Sequence, residues 1–172
     1  APAQCLGSPQ LPPLFALGVQ AVAAADDRES ALSPLNFFTS LVAPQHKAAA
    51  DPTMQQARPA VDTCVQQSGA ALVRALVVAG AHRSPRNVLG KVGSCMYALA
   101  SSYPAAFGGW LGAAMGEKGV AGEASDGDKA AFCSALLRSP PLPHPRFEAC
   151  CSDFFLVCRR EAMGDVLLAY AS

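Results

Sequence analysis

Proline punctuation constrains this chain more than any other feature. Fourteen prolines fall mainly in three clusters, 9–13, 44–59 and 140–145, with single residues at 34, 85 and 104. A proline inside a helix removes one backbone donor and clashes with the preceding turn, at a cost of about 3 kcal/mol. The stretches between the prolines are therefore the candidate helices, and they carry apolar residues at three- and four-residue steps. Pro34 and Pro104 suit a helix's first turn, where the missing N–H does no harm.

Seven helical segments are predicted. Leu14, Leu17, Ala21 and Val22 share one face of the first, closed by Asp26-Asp27. Leu35, Phe38, Leu41 and Val42 follow in a second, entered through Ser33-Pro34, and a polar loop over roughly 44–59 comes next. The third is long, with Val61, Cys64, Val65, Ser68, Leu72, Leu76 and Ala79 in register, and ends at Gly80. Arg86 to Ser101 carries Val88, Leu89, Val92, Cys95, Met96 and Leu99, before Ser101-Ser102-Tyr103-Pro104 restarts the chain in a helix bearing Phe107, Trp110, Leu111, Ala114 and Met115. Ser125 or Asp126 then caps Lys129 to Arg138. A last helix holds Phe147, Cys150, Cys151, Phe154, Phe155 and Cys158.

No two-residue alternation persists, and Asp126-Gly127 has no strand pattern on either side. The 34 alanines point the same way, alanine being the strongest helix former. The fold class is therefore all-α. Paired helices recurring about every 40 residues predict a stacked two-helix repeat, an α-solenoid of about four helix pairs, which suits unequal helices better than a closed bundle does.

Composition excludes several functions. At 172 residues, 51% hydrophobic and 15% charged, the chain is long enough for one buried core and too apolar for a disordered tail. Thirteen basic side chains balance thirteen acidic ones, so the basic footprint of a nucleic-acid binder is missing. The longest uncharged apolar run, Leu14 to Ala25, falls short of the roughly 20 residues of a membrane span and lacks the basic flank of a signal peptide. The chain opens at Ala1 and meets a helical pattern almost at once, as a piece of something longer would. Seven cysteines, at 5, 64, 95, 133, 150, 151 and 158, lie along apolar faces, the pattern of buried, reduced thiols.

The sequence carries no recognisable catalytic constellation. His144, Cys150, Cys151 and Cys158 form the one tight His/Cys group, without the recurring spacings of structural zinc; Cys151 and Cys158 share one helical stripe. There is no Gly-x-Ser-x-Gly elbow, and His46, His82 and His144 fall in or beside Pro-rich loops. Ser94-Cys95 sits among apolar neighbours in mid-helix, and Gly90-Lys91 is followed by Val92, which breaks any phosphate-loop pattern. Asp26, Asp27, Glu29, Asp126 and Asp128 lie at helix ends, where carboxylates cap and complement the dipole. Arg159-Arg160, near the end of the last helical stripe, suits a C-terminal dipole. The chain is therefore not expected to be an enzyme or to hold a metal or cofactor.

The order of segments carries a resemblance. Leu72 to Gly80, Val88 to Leu99, then Tyr103-Pro104-Ala105-Ala106-Phe107-Gly108-Gly109-Trp110-Leu111, is similar to the carboxyl-terminal end of nuclear transport receptors of the importin-β (karyopherin) superfamily, in the transportin-SR and importin-thirteen branch. Lys129 to Arg138 and Cys150 to Arg160 resemble that family's last helical segments, and Leu14 to Val42 the preceding repeat. The family's receptors are usually acidic, whereas this chain is neutral, and Gly108, Gly109 and Gly112 weaken the helix around Trp110.

The resemblance implies HEAT repeats over residues 1–160, with 161–172 as a carboxyl-terminal tail. It implies a monomer shuttling between nucleus and cytoplasm, binding protein cargo and the Phe-Gly proteins of the nuclear pore. Ran GTPase contacts the amino-terminal half of such receptors, and no direct nucleic-acid or membrane contact is implied. In each pair the second helix lines the concave face, here 34–43 and 86–101, making Asn36, Thr39, Arg86, Asn87 and Lys91 the protein-contact candidates. Phe107, Trp110 and Leu111 are expected to be packing residues. Two alternatives stand beside this reading: a generic helical-repeat interaction scaffold, and an enzyme using a cysteine or metal in the 144–158 region.

Overall fold

A computed structural model describes residues 10–43 and 52–171; Cys5, His46 and the first half of the 44–59 loop, 44–51, lie outside them. Among the described residues there is no strand. The α-helices of the described residues are α1 (Leu11–Ala24), α2 (Arg28–Val42), α3 (Pro52–Val78), α4 (Leu89–Ser102), α5 (Pro104–Gly116), α6 (Asp126–Leu136) and α7 (His144–Cys158). A π-turn, Ala79–Arg83, extends α3; 3-10 helices at Arg86–Val88 and Gly164–Tyr170 introduce α4 and close the chain.

The helices stack like on like in two layers. α1 packs on α3 and α3 on α5, while α2 packs on α4 and α4 on α7; hairpin contact between α1 and α2 ties the layers together. α6 and the closing 3-10 helix form a final unit against α7. One continuous apolar core runs through all of it, from Leu11 and Phe15 to Phe154, Phe155 and Leu167. This is the neighbour-to-neighbour architecture of an all-α repeat stack, in which each layer buries its apolar face on the next.

Several boundaries differ from the sequence reading. In α1 the buried face is Leu11, Phe15 and Val22, leaving Leu14 (41% exposed) and Leu17 (62%) outside. The face is rotated because Gly18 admits α2: a Cβ there would stand 2.8 Å from the Phe38 ring, which meets Phe15 edge-on at 4.8 Å. α2 begins at Arg28, not at Ser33-Pro34. Asp27 caps it, its Oδ1 accepting from the backbone N–H groups of Glu29 (2.8 Å) and Ser30 (3.0 Å). That cap and the burial of Ala31 ahead of Leu35 and Phe38 hold the helix through Pro34.

α3 likewise starts at Pro52, inside the stretch read as loop, and runs through Pro59. Ala57 and Val61 are buried on either side of that proline, and the Thr63 hydroxyl donates back to the Pro59 carbonyl at 2.9 Å. The result is a helix of a length and composition that would also cross a bilayer: Gln55–Arg83 reaches a mean hydropathy of 1.3 over 18 residues, 61% of that window being buried inside the fold. Its uncharged runs are short because Arg58, Asp62 and Arg74 interrupt the apolar sequence without interrupting the helix. Packed between α1 and α5, it is the core helix of the stack.

The Ser125 hydroxyl accepts from the Asp128 N–H while the Asp128 carboxylate accepts from the Ser125 N–H, a capping box that starts α6 at Asp126. Residues 161–171, read as a tail, fold back on α6 and α7, burying Leu167 and Tyr170. The reversal is made at Arg160, at φ 59°, and the end of α7 is met by Gly122 of the α5–α6 connection, at φ 54°, where a Cβ would lie 2.5 Å from the Cys158 carbonyl oxygen. The Tyr170 hydroxyl donates to Asp153 at 2.6 Å and secures the returning segment.

Candidate protein-contact surface

The contact candidates sit on α2 and on the start of the α4 segment, which pack against each other. Asn36, Asn87 and Lys91 are exposed. Thr39 is half-buried and turned into the layer: its hydroxyl donates to the Leu35 carbonyl at 2.8 Å and contacts the Cys95 thiol on α4. Arg86 is exposed but engaged, its Nε donating to Glu161 at 2.7 Å. Arg86 thus bridges the start of α4 to the chain beyond α7, a pairing 75 residues apart that spacing does not reveal. The surface left on these two helices is polar and nearly neutral.

Phe107 and Leu111 are buried on α5, as expected of packing residues. Trp110 is half-buried, its indole laid over Gly69 of α3 and its ring centroid 6.2 Å from that of Tyr103. The glycines beside it in sequence play no such part: a Cβ at Gly109 or Gly112 would meet open space.

Beside Trp110 lies a polar cluster that no sequence motif marked. The Tyr103 hydroxyl donates to Asp62 Oδ1 (2.6 Å) and accepts from Arg58 Nη2 (2.5 Å), which also pairs with Asp62 at 2.8 Å. Arg58 and Asp62 are one helical turn apart on α3, a legible spacing; the third member comes from the α4–α5 corner. Burial, and the hydrogen bond to the Asp62 carboxylate, push the Tyr103 phenol above its ordinary range. Arg58 Nε and Nη1 are buried without a hydrogen-bond partner.

A second cluster joins α4 to α7. Glu148 accepts from the Ser94 hydroxyl and lies 3.0 Å from His144 Nε2, while the His144 ring stacks on Tyr97 at 4.4 Å. The carboxylate stands between serine and histidine. The arrangement therefore does not give Ser94 an imidazole base, as a nucleophilic triad requires. Tyr97 also lines a groove of about 460 Å³ with Ser101, Pro104, Phe107, Leu137 and Phe147, between the α4–α5 corner and the α6–α7 linker.

The cysteines are packing residues throughout the described chain. Cys64, Cys95, Cys133, Cys150, Cys151 and Cys158 are free, and all but Cys133 are buried. Burial pushes the Cys95, Cys150 and Cys158 thiols up to about 12, and Cys151 well above its usual value, so none is a thiolate at neutral pH. Among the described residues no group of three or more His, Cys, Asp or Glu side chains is placed to hold a metal.

The fold also reassigns Arg159. It caps a helix terminus, but not its own. Its Nε donates to the Gly80 carbonyl at 2.9 Å and its Nη2 to the Ser84 carbonyl at 2.7 Å, closing the π-turn at the end of α3. Together these observations define the class: an all-α helical stack. No family model matches the chain, and no curated protein matches it in sequence.

Proposed function

We propose that this chain is the carboxyl-terminal HEAT-repeat part of a nuclear transport receptor of the importin-β type. In this reading it binds protein cargo, which is carried through the nuclear pore under the control of Ran bound to GTP. The single observation that carries the reading is the like-on-like stacking of α1, α3 and α5 in one layer and α2, α4 and α7 in the other. It accompanies the order of segments, with Pro104, Phe107, Trp110 and Leu111 opening α5, on which the resemblance rests. A stack of this kind offers a long surface built from successive second helices, and it binds by spreading many modest contacts along that surface. In this reading Asn36, Asn87 and Lys91 meet the partner on that surface, beside Arg86 in its ion pair with Glu161, whereas Thr39, turned inward, does not. Pore proteins would insert Phe side chains into shallow apolar gaps between helices.

The test is a pull-down from nuclear and cytosolic extracts with the full-length protein, with and without Ran loaded with GTP. Cargo released by Ran-GTP supports an import receptor, and cargo held only in its presence supports an export receptor. Partners indifferent to Ran overturn the receptor reading in favour of a helical-repeat scaffold.

A further inference from the structure

We draw no further inference here: the strongest candidate, the apolar groove of about 460 Å³ between the α4–α5 corner and the α6–α7 linker, carries nothing because nothing in the structure shows what covers it.

Discussion

The indole of Trp110 occupies the space that a side chain at Gly69 would need. A Cβ built at Gly69 would stand 2.5 Å from two of the Trp110 ring carbons, so α3 and α5 approach through a glycine on one and a tryptophan on the other. Gly69→Ala is expected to destabilise the fold by about 1–3 kcal/mol through overpacking. Trp110→Ala removes a large half-buried ring and is expected to cost about 2–4 kcal/mol, toward the lower end of what buried aromatics lose. The double variant should lose less than the sum, because the alanine methyl then enters the space that the indole leaves. Urea denaturation of all four proteins checks this, and strict additivity would show that the two positions do not share that space.

Tyr103→Phe is expected to cost about 1–3 kcal/mol while leaving the ring packing intact. The loss comes from the hydrogen bonds to Asp62 and Arg58 in a half-buried setting, where an unmade bond costs more than a made one contributes. A cycle of Tyr103→Phe with Asp62→Asn, read by thermal or urea unfolding, should show a coupling of about 0.5 kcal/mol or more. A zero coupling would mean that solvent already meets the needs of both groups.

Stability is expected to fall as pH rises above about 9. The thiols of Cys95, Cys150 and Cys158 stay protonated in the fold up to about 12, whereas an unfolded chain ionises them near 8.5. A raised native value means that the native state holds the proton longer, so stability is complete below the unfolded value and is lost between the two. Each thiol contributes a slope of at most about 1.4 kcal/mol per pH unit in that window. Tyr103 and Tyr170, also raised, add to the loss above about 10. Urea midpoints at pH 7.5, 9 and 10.5 measure it, and Cys95→Ala should start lower but fall less steeply. A flat profile over that range would place the thiols in contact with solvent.

Arg159→Lys is expected to loosen the end of α3 selectively. Lysine keeps the charge but cannot span the Gly80 and Ser84 carbonyls with a planar fork, so about 1–2 kcal/mol is lost. Amide exchange at residues 80–84 should speed up more than exchange within α6. Unchanged exchange at the π-turn would show that the turn holds without the arginine.

The returning segment is part of the fold. Leu167 is 1% exposed against α6 and α7, and Leu167→Ala is expected to cost about 2–4 kcal/mol. The exposed Leu168→Ala, at 68% exposure, should change stability by less than about 0.5 kcal/mol. Equal effects at the two positions, by chemical unfolding, would mean that the segment does not pack as described.

Local chemistry sufficed for the elements. The 3.6-residue stripes, Pro104 at the start of α5, and Ser125 with Asp128 at the start of α6 determine helices wherever the chain folds, because helix hydrogen bonds and caps close within four residues. The all-α class was legible for that reason, and so was the burial of Phe107, Leu111 and the cysteines at 64, 95, 150, 151 and 158. The sequence alone could not say where a helix survives a proline. Pro34 and Pro59 stay inside α2 and α3 because burial of Ala31 and Leu35, and of Ala57 and Val61, outweighs one missing donor, and that burial exists only once α1, α4 and α5 are in place. Tertiary structure alone decided which face of α1 is covered, through the fit of Phe38 against Gly18. It also decided that Thr39 turns inward, that Arg86 pairs with Glu161, and that Arg159 serves the end of a helix 79 residues earlier. Those partners are distant in sequence, and side-chain spacing along one helix holds no record of what the next layer brings against it.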